Sequence, residues 1–262
     1  MRRLAIIPIL IMAIFLSACN GNGVSMRKSA ADSIVNVSIP SDSGITPIQQ
    51  LQKVDQAERF YRMTEDRRGM GCVYVKRAAL YFDIGQSADA LEQVNKARPY
   101  LADLDSQTQL FYYRAHAILL TERNLNAQEA ESDMLHAIKL SNANHDNYRK
   151  AVDMGNLAEL YIRLGRIADA KRIITELEPL TKGKPAGYNM QKVYCIGLIH
   201  SREGKLDSAY ADFRQCFDLS RKWNVPPLEI SALKELSHID SLRNDYRAFS
   251  EHYPQYINIQ NH

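Results

Sequence analysis

Five alanines recur along the chain at an almost constant spacing. Ala90, Ala130, Ala170, Ala209 and Ala248 are separated by 40, 40, 39 and 39 residues, and apolar residues follow each of the first four at i+4 and i+7. Self-similarity with a period of about 20–50 residues is typical of repeat architectures. The spacing therefore predicts a stack of similar units rather than a single undivided core.

A second periodic segment lies upstream of each alanine. Its apolar residues recur at i, i+3 or i+4, and i+7, which places them on one face of an α-helix. The clearest example contains Met154, Leu157, Ala158 and Tyr161. Between the two segments of each unit lies a residue that tolerates the left-handed conformation needed to end a helix. These residues are Gly85, Asn124, Gly165, Gly204 and Asn244.

Small residues on both helices of a unit would let the two backbones approach closely. Ala158 and Gly197 supply them in first helices, and Ala170 and Ala209 in second helices. A single hairpin cannot bury its apolar stripe alone, so stacking of about five hairpins is required.

Two units preserve the pattern best. In residues 154–177 the matching positions are Leu157, Ala158, Tyr161, Gly165, Ala170, Ile174 and Leu177. In residues 193–216 they are Ile196, Gly197, Gly204, Ala209 and Phe213. This spacing resembles the tetratricopeptide repeat (TPR), with its W-x2-L-G-x2-Y and A-x3-F signature. The resemblance covers about residues 70–253 and implies an all-α, right-handed α-α superhelix, a TPR-like solenoid.

The period exceeds the usual TPR length of about 34 residues. Longer helices and longer connectors would both account for the difference. Residues 46–69 are expected to form an N-terminal capping helix, residues 70–253 the repeat domain and residues 254–262 a C-terminal tail.

The first residues have the pattern of an export leader. Arg2 and Arg3 precede an apolar run that is too short to span a membrane comfortably, and small residues lead to Cys19. The tetrad LSAC at residues 16–19 resembles the bacterial lipoprotein box. The resemblance implies a signal peptide over residues 1–18 and several acyl chains on Cys19, which together anchor stably. An ordinary secretory leader is the alternative.

In a host with two membranes, the resemblance favours outer-membrane sorting, facing the periplasm, because Asn20 stands where aspartate would signal inner-membrane retention. Residues 19–45 are rich in Ser, Asn, Gly and Asp, and we expect a flexible tether. Without Arg2 and Arg3 the formal charge falls from +3 to +1. No basic excess remains for a nucleic-acid partner.

Three further cysteines, Cys72, Cys195 and Cys216, follow Cys19. Cys195 and Cys216 lie on paired helices but are expected to face differently. They are interpreted as small apolar core residues, with a disulfide as the alternative.

We find no convincing catalytic or metal-binding constellation and expect neither enzyme activity nor a cofactor. The sequence Ser231-Ala232-Leu233-Lys234 has the S-x-x-K spacing of serine acylases without their companion motifs. The histidines show no pair at metal-ligand spacing on one helix face.

First helices are expected to line the concave side of the stack, with the residues beside their packing stripe facing the groove. Arginine and tyrosine are frequent anchors in protein interfaces, although a solvated charged face is the alternative. The expected concave-face residues are Phe82, Arg114, Glu122, Glu159, Arg163, Tyr194 and Arg202.

These expectations favour a lipid-anchored scaffold or adaptor that binds a protein or peptide partner in the cell envelope. The alternative is a ligand-sensing periplasmic repeat module shortened from a signalling protein. The sequence after Tyr253, PQYINIQNH, has no second apolar span that would connect such a module to a cytoplasmic domain.

Overall fold

The structure is a computed structural model that describes residues 28–36 and 45–260. Every regular element in these two ranges is helical, which confirms the predicted all-α class. Among the helices of these two ranges, none combines the length and the hydropathy that a transmembrane span requires. The predicted leader and the predicted lipidation site, Cys19, lie outside the described residues.

Twelve helices are described, and the last ten form consecutive pairs. The first, α1, covers residues 28–35. The others are α2 (Pro47–Met63), α3 (Arg67–Asp83), α4 (Ser87–Ala97), α5 (Ser106–Glu122), α6 (Ala127–Ala143), α7 (Asn147–Arg163), α8 (Ile167–Thr181), α9 (Met190–Arg202), α10 (Leu206–Trp223), α11 (Pro226–Leu242) and α12 (Tyr246–Gln260). The pairs α3/α4, α5/α6, α7/α8, α9/α10 and α11/α12 form a TPR-like superhelical array, as predicted.

The turn within each pair depends on one left-handed residue, at the position that the sequence predicts. All five predicted residues have positive φ, as at Gly165 (73°) and Asn124 (50°). At the Gly165 turn, the Arg166 N–H donates to the Tyr161 carbonyl at 2.8 Å, and the Gly165 N–H donates to the Ile162 carbonyl at 3.1 Å. These bonds satisfy carbonyls at the end of α7 and let α8 start at once.

Four of the five recurring alanines are contacts of close packing. Ala90, Ala130, Ala170 and Ala209 have no exposed surface, which confirms the predicted register for the first four pairs, whereas Ala248 in the last pair is partly exposed. In the α9/α10 pair, a Cβ atom at Gly197 would lie 2.8 Å from the Phe213 ring. Only a residue without a side chain fits there, so the two helix axes are held close together.

The extra length of the repeat unit has two origins. Long connectors with short 3-10 turns, Arg98–Asp103 and Ala186–Tyr188, join the first and second pairs and the third and fourth pairs. Between α6 and α7, by contrast, only residues 144–146 intervene, and α6 itself is 17 residues long. Both sequence-based explanations therefore apply, each to different units.

Residues 28–35 differ from the expected flexible tether. They form a helix whose Ala31 and Val35 are each only 4% exposed. Asp32 accepts a hydrogen bond from the Tyr61 hydroxyl at 2.6 Å, and Lys28 forms an ion pair with Asp66 at 2.6 Å. The tether prediction is wrong over this stretch, because eight residues are too few to show a helical period beside polar neighbours.

Two predicted boundaries also shift. The expected capping helix ends at Met63, because Glu65 adopts a φ of 53° and Asp66 then caps a new helix, α3. At the other end, residues 254–260 of the expected tail continue α12. A proline at position 254 lies inside that helix.

Candidate functional site

A groove of about 460 Å³ runs across the first helices of all five pairs. It is lined by α3, α5, α7, the start of α9 and the start of α11, together with the 3-10 turn before α9. Its apolar surface includes Phe82, Ile118, Val152, Tyr188 and Leu228. The stacking of the hairpins thus creates a surface that no single hairpin has.

Five of the seven predicted concave-face residues line this groove, namely Phe82, Arg114, Glu122, Glu159 and Arg163. Their side chains come from α3, α5 and α7, one after another. The repeat register therefore located most of the groove from the sequence.

The other two predicted residues do not line the groove. Tyr194 is 3% exposed, packs 5.7 Å from Phe213 between ring centroids, and shares a core cluster with Leu228 and Leu233 of α11. Its predicted presentation to solvent is wrong, because α11 and its neighbours cover this part of α9. Arg202 is exposed at the last residue of α9, beyond the groove lining.

Glu159 is held by both α7 and α9. Arg163 donates from Nε and Nη2 to Glu159 Oε1 at 3.0 and 2.8 Å, and Gln191 Nε2 donates to Oε2 at 3.1 Å. Gln191 fits at this position because the α7 residue that it packs against is Gly155. A Cβ atom at Gly155 would lie 2.3 Å from Gln191 Cγ. The sequence reasoning missed both Gly155 and Gln191.

Arg114 also lines the groove, but its guanidinium is bound to a buried carboxylate. Its Nε and Nη2 donate to Oδ1 and Oδ2 of Asp153, whose side chain has no exposed surface. Ser141 donates a further hydrogen bond to Asp153 Oδ2 at 2.8 Å. This network joins α5, α6 and α7, so the charge of Arg114 is neutralised within the protein.

Two further carboxylates, Glu122 in the groove and Glu235 beside it, have few partners for their charge. Glu122, at the end of α5, accepts one hydrogen bond, from Ser87 Oγ at 3.3 Å. Glu122 is an exposed residue, yet desolvation by the surrounding helices raises its pKa, and the charge of Glu159 raises it further. Burial likewise raises the pKa of Glu235 on α11.

One group of side chains has the composition of a metal site. Ligand atoms of His116, Glu129 and Asp133 lie within 4.8 Å of one another. His116 Nδ1 is already hydrogen-bonded to Asp133, and Glu129 is paired with Arg98. The cluster leaves no signal within one helical segment of the sequence, because His116 lies on α5 and the carboxylates on α6.

The three cysteines and Ser231, the other candidate reactive residues, are either buried or hydrogen-bonded within the fold. Cys72, Cys195 and Cys216 are free and buried, so Cys195 and Cys216 do not form the alternative disulfide. Ser231 of the S-x-x-K tetrad donates to the Pro227 carbonyl one turn earlier, at 2.9 Å. This hydroxyl is thus used within its own helix.

Comparison with known proteins supports the fold. The tetratricopeptide repeat model matches residues 194–222, the α9/α10 pair. Among solved structures the chain is similar to BtubC (BKLC) from P. vanneervenii, at 15% identity and a TM-score of 0.50, covering 82% of this chain and 91% of that one. No curated protein matches the sequence. The chain therefore contains a tetratricopeptide repeat at residues 194–222, within an all-α, TPR-like superhelical array of helix pairs.

Proposed function

We propose that this protein is a lipid-anchored scaffold that binds a protein or peptide partner of the cell envelope in its groove. The observation that supports the proposal best is the groove itself, which joins apolar residues of five helix pairs to a few charged side chains. Such a mixture of apolar surface and few placed polar groups is typical of recognition sites.

Membrane attachment through Cys19 is the second part of the proposal, and it rests on the LSAC tetrad and the leader pattern. Because α1 packs on the body from Lys28 onward, only residues 20–27 separate Cys19 from the folded protein. A chain of this length spans at most about 30 Å. Anchoring would therefore keep the N-terminal end of the array near an outer-membrane surface facing the periplasm.

Site-specific photocrosslinking in the native host tests the groove. A photoreactive amino acid at Asn156, which lines the groove, should form an adduct with a discrete partner. The same group at Leu135, an exposed residue of a second helix, should not. Equal adducts from both positions, or an adduct from Leu135 alone, would contradict a groove-binding scaffold.

The anchor is tested separately by Cys19→Ser. We expect the variant to leave the membrane fraction while the groove still forms its crosslink to a purified partner. A variant that stays in the membrane fraction would contradict lipid attachment without affecting the groove.

A further inference from the structure

The two arginines of the groove have carboxylate partners within the protein, whereas Glu122 has no such cation partner among the residues that the structure describes. Arg114 is bound through two nitrogens to Asp153, and Arg163 through two nitrogens to Glu159. Both guanidinium groups are therefore occupied by internal acceptors. An acidic partner would have to break one of these pairs to gain an ion pair of its own.

The carboxylates, by contrast, have spare acceptor capacity. Glu122 accepts only the single hydrogen bond from Ser87, although a carboxylate can accept about four. The carboxylate of Glu235 makes no hydrogen bond or ion pair with any residue in the described part of the chain. Glu235 lies beside the groove, one helical turn beyond the groove residue Ser231 on α11, where it lines a neighbouring pocket with Lys234 and His238.

The nearby cations leave these carboxylates uncompensated. Burial is the largest cause of the raised pKa at both Glu122 and Glu235, and the charge of Glu159 raises each further. Arg163 and Lys234 lower both pKa values but do not offset burial. Lys234 is exposed and forms no ion pair within the described residues, so a partner can displace it.

We propose that the groove binds a lysine or arginine side chain of its partner against Glu122, with the carboxylate of Glu235 beside the groove adding to the attraction, and a neighbouring apolar side chain of the partner on Ile118 and Val152. The inference rests on the proposed groove-binding function and specifies the chemistry of the ligand. Complementary charge fixes the orientation of the partner and disfavours acidic competitors.

The test uses the full chain in detergent and a displayed library of random dodecapeptides as the probe. Peptides are first selected for binding to the wild-type protein. Only those peptides are kept that do not bind the Asn156→Trp variant, in which the indole fills the groove. The retained peptides should carry a lysine or arginine beside an apolar residue. Replacement of that basic residue by glutamine should weaken binding about tenfold or more.

Matched protein variants complete the design. Glu122→Gln and Glu235→Gln should each weaken the retained peptides, and together by about tenfold or more. Glu176→Gln, an exposed substitution on α8 outside the groove, should leave the affinity unchanged. Circular dichroism and the thermal midpoint of each variant confirm that it is folded.

The outcomes separate this inference from the proposed function. Groove-dependent peptides that lack basic residues, or whose affinity is unchanged in both glutamine variants, would overturn the cation site and leave the groove as a binding surface. A library that yields no groove-dependent peptide would contradict both.

Discussion

Arg114 on α5 binds both carboxylate oxygens of Asp153 on α7, so a fully buried charge in one repeat unit is held by a guanidinium from the unit before it. A buried carboxylate is tolerated only when its oxygens accept hydrogen bonds, and Ser141 donates a further hydrogen bond to Asp153. The floor of the groove is thus stabilised by a contact between units.

Arg114→Met should destabilise the protein by about 3–5 kcal/mol, because it leaves the charge of Asp153 buried with only a serine partner. The double variant Arg114→Met, Asp153→Leu should recover most of that loss, since both charges are then gone. Urea unfolding of the two single variants and the double variant measures the coupling. Strictly additive losses would show that the two residues do not act as a pair.

Ala170→Glu should unfold much of the array. The alanine has no exposed surface at the closest approach of α7 and α8, and a carboxylate there would be both too large and unpaired. A loss of at least about 4 kcal/mol is expected, a large part of the total stability of a typical domain. Ala168→Glu, two residues earlier on the exposed side of the same helix, is the control. Equal thermal midpoints for the two variants would refute the repeat register.

The thiols of Cys195 and Cys216 should resist alkylation in the native protein. Burial raises the pKa of Cys216 to about 12 and that of Cys195 well above its ordinary value, so almost no reactive thiolate is present. Peptide mapping after iodoacetamide treatment should show modification of both residues only after denaturation. Rapid native labelling, or a disulfide between the two, would contradict the packing of α9 on α10.

Glu122→Gln should stabilise the protein at neutral pH. The folded-state pKa of Glu122 is raised above the ordinary 4.5. At a pH above that raised value Glu122 is ionised in the folded protein, and its charge lowers the free energy of unfolding. When the pH falls from this raised pKa toward 4.5, Glu122 binds a proton in the folded protein but not in the unfolded chain. The wild type therefore regains the lost stability. The advantage of Glu122→Gln should therefore shrink on acidification, as measured by thermal midpoints across the acidic range. A variant less stable than wild type at neutral pH would show that the carboxylate is compensated.

The repeat frame was predictable because it depends on local chemistry. Gly165 and Asn124 end helices through their own backbone freedom, and Ala170 marks close packing through its size, so each is visible in a short stretch of sequence. The groove residues of α5 and α7 followed from that frame.

The remaining features depend on contacts between distant residues. Tyr194 is buried because α11 covers it, and the sequence alone does not fix the position of α11. Asp153 lies 39 residues from Arg114, and its burial is stabilised by that partner rather than by its neighbours in sequence. Likewise, α1 contacts the body through residues distant in sequence, since Asp32 accepts a hydrogen bond from Tyr61 and Ala31 and Val35 are buried.

The binding affinity of the photocrosslinked partner for wild type, for Asn156→Trp and for Leu135→Trp is the most informative measurement. The first substitution fills the groove, and the second adds the same indole to an exposed position on α6. If the partner occupies the groove, Asn156→Trp should weaken binding about tenfold or more, while Leu135→Trp leaves it unchanged. Unchanged affinity in Asn156→Trp would show that this protein recognises its partner through another surface.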